Sequence, residues 1–173
     1  MSTKTRLKCA VLSGAAMFAL SAIVAFPAQA DDQPPTELVK VEMPADLEIV
    51  EAAPATAATP APDSAAASRA PSRPCLGVTS TYGSTGCFQP YGDLIWSQDT
   101  ASDGLSSVTV VYTDYGRPAY GCVNSNKAGS WGYCNKDYKE KGNVRLKVLR
   151  YDSKTKDWYQ PIAQSNLIPV DGQ

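Results

Sequence analysis

Cysteines 75, 87, 122 and 134 form two pairs, each twelve residues apart, within the last 99 residues of a 173-residue chain. An even count at matched spacing constrains the fold before any strand is assigned. In an oxidising compartment two disulfides are the default use of such a set. The competing use, a zinc site, needs a C-x2-C-like knuckle or histidine partners, and the chain contains no histidine. Cys75–Cys87 and Cys122–Cys134 are the preferred pairs, because each flanks a turn-rich segment and closes locally; crossed and nested pairings stay open. A closed loop of about a dozen residues contributes roughly 3 kcal/mol in the chain-entropy model. Two such staples are comparable with the net stability of a small domain, on the order of 5–15 kcal/mol.

The amino terminus supplies the compartment. Lys4, Arg6 and Lys8 precede an apolar run from Ala10 to Phe26, and Ala28-Gln29-Ala30 follows it. Positive flank, short apolar stretch and small-x-small site together read as a secretory signal peptide over residues 1–30. Cys9 lies ahead of the apolar run, the wrong side for a lipid-modified cysteine. The expectation is an exported, extracellular protein with no membrane span after cleavage.

Residues 31–74 read as a disordered Ala/Pro-rich acidic linker. They hold eleven alanines, eight prolines and no Phe, Tyr or Trp, with eight acids against three bases. A segment so poor in large apolar groups offers little to offset the entropy of ordering its backbone. Within it only "ELVKVEMPADLEIVE" alternates, and weakly.

Residues 75–173 are the folded domain, with thirteen aromatics. Their period is two rather than 3.6. "SSVTVVYTDYG" sets Val108, Val110 and Tyr112 on one face, with Thr109, Val111 and Thr113 on the other. "NVRLKVLRYD" points Val144, Leu146 and Val148 inward and Arg145 and Lys147 outward, until Leu149 breaks the alternation and hints at a bulge. "CLGVTST", "DLIWSQD", "AYGCVNS", "SWGYCNK" and "DWYQPIA" are β-prone, with Gly, Asn and Asp turn signals between them. Seven short strands, stapled twice, predict an all-β fold: a small antiparallel β-sandwich or barrel.

Chemistry is narrowed by absence. Without histidine there is no Ser-His-Asp or Cys-His constellation, and paired cysteines leave no thiolate. Asp93, Asp99, Asp103 and Asp114 are the carboxylates that a glycosidase-like pair would draw on, although aspartates in such places ordinarily start turns. "DTASDG" places Asp99 and Asp103 where a calcium loop has ligands, but Ala101 and Val110 occupy positions that need oxygen ligands. No metal and no cofactor are expected, with Asp99 and Asp103 the only weak calcium candidates.

Two features point to binding instead of catalysis. Residues 136–156 carry eight bases against three acids, and a basic strand face with Arg145 and Lys147 suits an anionic cell-surface polymer or an acidic protein patch. Nucleic acid is not expected for an exported domain with so little net charge. Aromatics at turn edges are the second feature: Trp131 with Lys127 in "CVNSNKAGSWGYC", Trp158-Tyr159 and Tyr115, whose rings can stack on sugars or anchor a protein. Trp131 has an opposing reading as a lid over the Cys122–Cys134 bridge.

"GCFQPYGDLIWSQDTASDG", "GRPAYGC" and "GSWGYCNKD" together resemble small secreted β-proteins of actinobacteria. The carriers are Phe88, Gln89, Pro90, Gly92, Asp93, Ile95 and Trp96, then Asp99, Thr100, Asp103 and Gly104, then Gly116, Arg117 and Cys122. The spacing departs from the pattern where four residues separate Arg117 from Cys122. The resemblance implies secretion and an all-β fold and brings no activity with it. "SVTVVYTDYGRPAYGC" is also similar to the central strand of microbial proteinaceous α-amylase inhibitors. The chain lacks their Trp-Arg-Tyr triplet, so only the idea of a protein-binding scaffold carries over.

The expectation is a monomeric, exported, non-catalytic binding module for a cell-surface or extracellular polymer such as a cell-wall polysaccharide. An inhibitor or other module that binds an exported protein is the alternative, and a small carboxylate hydrolase the third.

Overall fold

A computed structural model of the chain describes residues 34–56, 58–62 and 74–173. The predicted signal peptide, and residues 63–73 of the predicted linker, lie outside the described residues. Twelve strands form two sheets and no helix is present among the described residues. The strands are β1 (Lys40–Val41), β2 (Glu48–Glu51), β3 (Ala53–Pro54), β4 (Leu76–Thr81), β5 (Ser84–Gln89) and β6 (Leu94–Asp99). They continue with β7 (Ser106–Thr113), β8 (Tyr120–Asn124), β9 (Trp131–Asn135), β10 (Asn143–Asp152), β11 (Asp157–Gln164) and β12 (Ile168–Pro169). Sheet A runs β1-β11-β10-β7-β8-β2, with β12 also on β10, and sheet B runs β3-β9-β6-β5-β4. The result is a β-sandwich, and no barrel closes.

Both expected disulfides form. Cys75–Cys87 ties neighbouring strands of sheet B, whereas Cys122–Cys134 joins β8 of sheet A to β9 of sheet B. "CVNSNKAGSWGYC" is therefore not a hairpin. Its two halves belong to different sheets, and the bridge pins the layers together at the corner where the chain passes between them.

The core between the sheets follows the period-two pattern. Val111, Val144 and Leu146 from sheet A meet Phe88 and Ile95 from sheet B, with Cys122, Cys134, Tyr120 and Tyr138 around them. A polar seam continues this interior. Ser107 hydroxyl shares hydrogen bonds with Ser84 (2.6 Å) and Ser97 (2.9 Å), and Thr109 Oγ1 donates to the Trp96 carbonyl at 2.8 Å. Asn124 Nδ2 donates to Ser97 O and Ser130 O at 2.9 and 2.8 Å. Each polar side chain of this seam is paired, as a dry interior requires. Small residues allow this approach: a Cβ on Gly132 would lie 2.7 Å from Ala52 Cβ.

The outward faces are also apolar. On sheet A, Val108, Val110, Val123, Leu149, Tyr151 and Trp158 form a second cluster, with Val41, Met43 and Leu47 packed over it. On sheet B, Trp96, Trp131 and Cys87 form a third, flanked by Tyr133, Leu94, Cys75, Ala55 and Ala61. Trp96 is fully buried although it points away from the main core.

The cover comes from a segment the sequence places in a linker. Of residues 31–74, positions 40–54 contribute three strands. β1 pairs with the edge of β11, residues 42–47 cross the outer face of sheet A, and β2 pairs with β8. Ala52, buried, donates its N–H to Val123 O at 2.7 Å, and β3 then pairs with β9 of sheet B. Ala55 and Ala61 then pack against the Trp131 cluster. Low aromatic content misled the composition argument: this belt has no core of its own, but it borrows that of the two sheets.

Three further differences follow. The ladder is antiparallel except for β2–β8, which is parallel. β5 was not among the expected strands, and its Gly86 is small for a reason: an added Cβ would overlap Thr109. Leu149 does not break its strand's alternation. It keeps the outward phase of Arg145 and Lys147, paired opposite Val108, and is buried because the belt covers that face; the register shift lies on the β11 side, between Val148 and Arg150.

The belt generates a prediction. Leu47→Ala and Met43→Ala are each expected to cost about 1–2 kcal/mol, part of the ~1.5–3 kcal/mol for full burial of such side chains. A chain beginning at Cys75 should lose several kcal/mol and show red-shifted tryptophan fluorescence. Urea midpoints check both, and a truncated chain as stable as the whole would show the belt to be ornamental.

Candidate functional site

The residues singled out from the sequence do not gather into one site. Trp131 is buried, edge-to-face on Trp96 with centroids 6.3 Å apart and beneath Ala55 and Ala61. Trp158 is buried against Tyr151 at 4.5 Å and Tyr159 is buried too. Trp158 and Tyr159 are corrected from exposed binding aromatics to buried residues, Trp158 in the cluster that Val41 of the belt packs against, and for Trp131 the structure takes the packing reading, beneath Ala55 and Ala61. Tyr115 is half-buried in the β7–β8 loop under Lys139, whose Nζ lies 4.9 Å from its ring. Lys127 is exposed in the β8–β9 turn.

The basic run 136–156 does not make one face either. Arg150 is buried, ion-paired with Asp103 at 2.9 Å and stacked on Tyr82. Lys136 pairs with Glu48 of the belt at 2.7 Å and lies over Tyr120. Arg145 and Lys147 do share the outward face of β10, but both are half-buried and Lys147 sits over the Tyr112 ring at 4.9 Å. Of the eight cations of this run, Lys136 and Arg150 are committed to carboxylates.

Asp99 and Asp103 act as turn and ion-pair residues. Asp99 Oδ1 accepts the Ala101 N–H at 3.0 Å, and Asp103 accepts from Leu105 N–H and Arg150. No group of three or more Cys, Asp or Glu able to hold a metal occurs among the described residues. Asp93 and Asp99 flank opposite ends of β6, about 20 Å apart at the usual strand rise. That exceeds the ~5–9.5 Å of a glycosidase pair.

The residues that the sequence reading passed over lie in the quoted "FQPYGD". Pro90-Tyr91-Gly92-Asp93 is a turn closed by Asp93 N–H to Pro90 O at 3.1 Å. It is anchored from three sides. Trp96 Nε1 donates to Gln89 Oε1 (3.2 Å), and Gln89 Nε2 donates to Tyr91 O (3.0 Å). Asn135 Nδ2 donates to Gly92 O at 2.8 Å, and Lys136 N–H to Asp93 O at 3.2 Å. Asp93 adopts a left-handed φ of 51°, a conformation that costs a non-glycine residue energy and persists where surroundings impose it.

This rigid turn presents Tyr91, 59% exposed. It borders a cleft of about 640 Å³ lined also by Pro90, Asp93, Glu140, Asp171 and Gln173. Burial pushes the Asp93 carboxyl above its ordinary value, opposed by the Tyr138 N–H it accepts and reinforced by Glu140 and Asp137. An aromatic in a Pro-x-Gly turn was the signal that could have found this cleft.

No protein-family model matches the chain, and no curated protein or solved structure matches it either.

A pH prediction comes from Asp99. Burial pushes its carboxyl from 3.8 up to about 6, the Ala101 N–H pulling the other way and Asp103 adding repulsion. The folded chain thus grips this proton more tightly than the unfolded one. The stability gained is fully present below about pH 4 and lost as pH rises through about 6. Asp99→Asn keeps the acceptor for Ala101 and should raise stability at pH 7 by about 1–2 kcal/mol. Urea midpoints from pH 4 to 7 should flatten in the variant. A less stable variant at pH 7 would reverse the assignment.

Proposed function

We propose that the chain is an exported, non-catalytic binding module whose ligand is a neutral extracellular polysaccharide held at the Tyr91 cleft. The observation that carries this reading is an exposed tyrosine ring on a turn rigidified by hydrogen bonds, beside three carboxylates and an amide. Sugars offer apolar C–H faces to a ring and hydroxyl donors to carboxylates, so this combination suits them. Asp93, Glu140 and Asp171 disfavour an anionic polymer. Export is supported by the signal-like first thirty residues and by two disulfides, which accord with an oxidising compartment.

The test is co-sedimentation of the oxidised chain with cellulose, chitin and anionic cell wall at low and high salt. Retention is expected on a neutral polymer, with little salt sensitivity. Tyr91→Ala should weaken it roughly tenfold, the equivalent of about 1.4 kcal/mol of stacking, at an unchanged urea midpoint. No retention on any neutral polymer, or unaltered retention by Tyr91→Ala, would remove the reading.

A carboxylate hydrolase is a second reading, now centred on Asp93 and Glu140 in place of Asp93 and Asp99. It is favoured by the raised Asp93 carboxyl, the pattern of a general acid beside a second carboxylate. Release of reducing sugar in the same assay, abolished by Asp93→Asn, would replace binding with catalysis.

A further inference from the structure

The two sheets have four edges, and the chain's own belt occupies three of them. β1 caps β11, β2 caps β8 and β3 caps β9. The fourth edge is β4, paired only with β5 among the described residues. The occupied edges also end in strands that resist further pairing: Lys40 in β1, Glu48 and Glu51 in β2, Pro54 in β3. Charge and proline are the ordinary guards of a sheet edge. β4 reads Leu-Gly-Val-Thr-Ser-Thr, with neither.

One guard does exist. The register shifts between Leu76 and Thr79, around Gly77 at a φ of 62°, so the regular part of the edge is short. It spans Thr79–Thr81, one residue shorter than β2 and longer than β1 or β3. Strands of two to four residues already dock on this fold, so length is no obstacle. Val78 is 65% exposed, the most of any large apolar residue described.

Beside this edge runs a groove of about 590 Å³, walled on the far side by residues 163–169. A second hollow of about 600 Å³ borders Thr81 and residues 160–163. The twelve residues lining the first include no charge, and Glu37 is the one charged residue lining the second. Exposed Ile162 and Leu167 stand along the same side. In a chain with 19% charged residues, an uncharged groove beside an unpaired edge selects its occupant by charge. A charged side chain entering it would lose water without gaining a partner.

We infer that β4 is a strand-addition site for an extended, uncharged peptide segment of another exported protein, alternating small apolar and hydroxyl side chains. Backbone pairing with Val78–Thr81 provides the attachment, and the groove sorts the alternate side chains. This surface is lined by none of the residues of the Tyr91 cleft, so it stands whatever that cleft binds.

The test uses the oxidised full-length chain and the probe acetyl-Thr-Val-Ser-Val-Thr-amide, followed by amide NMR shifts and hydrogen exchange. Saturable shifts confined to Val78–Thr81 and its groove are expected, with slowed exchange at Ser80. N-methylation of alternate peptide nitrogens should weaken binding at least tenfold. Val78→Lys should do the same while leaving the urea midpoint unchanged, since the side chain is exposed. Absence of binding, equal binding of the N-methylated probe, or protection elsewhere overturns the proposal. So does self-association of the chain that Val78→Lys abolishes, which would give the edge to a second copy.

Discussion

Both sheets of this sandwich carry large apolar side chains on their outward faces, and those faces need cover. Trp96, Trp131 and Tyr133 point away from the main core on sheet B, and Val108, Leu149, Tyr151 and Trp158 do so on sheet A. A two-layer fold leaves such residues in water. Residues 40–56, with Ala61, resolve this along one edge, over one face, across the corner at Ala52 and onto the other face. The belt in turn closes three sheet edges, so cover and edge protection come from one segment. Its own side chains are modest, because the ladder supplies pairing and the sheets supply the apolar surface.

Between the layers, rigidity comes from polar as much as apolar contacts. The Ser84–Ser107–Ser97 cluster, Thr109, Asn124 and the Cys122–Cys134 bridge all cross from one sheet to the other. Each hydrogen bond has a modest net worth of about 1 kcal/mol, but an unpaired member would cost more than that. The set therefore fixes how the sheets sit together more than it adds stability. Gln89 extends the same logic outward, linking buried Trp96 to the Tyr91 turn. An exposed ring gains affinity when its position is settled before the ligand arrives, since less ordering remains to be done on binding.

The two open surfaces differ in chemistry. The Tyr91 cleft combines a ring with carboxylates; the β4 groove has no charge and a backbone edge unpaired among the described residues. One suits hydroxyl-rich ligands and the other suits polypeptide. The basic residues counted between 136 and 156 belong to neither as a group: Arg150 is committed to Asp103, and Lys136 to Glu48.

The β class, the disulfide pairs and the inward phase of Val144, Leu146 and Val148 were legible in the sequence, because alternation and cysteine spacing are local properties of the chain. So were the turns, where Gly, Asn and Asp act through their own backbone preferences. What tertiary structure alone decided was which outward residues stay outward. Leu149 and Trp158 read as irregular or exposed, and Trp131 stayed open between packing and exposure, because nothing within several residues of them predicts cover arriving from the belt. The belt was itself illegible for the converse reason: an Ala- and Pro-rich segment with no core has a defined place only when two sheets offer it edges and faces. Tyr91 shows the same division. Its turn was readable from Pro90, Gly92 and Asp93, but its standing as an exposed aromatic beside a cleft depended on where Glu140 and Asp171 were brought by the rest of the fold.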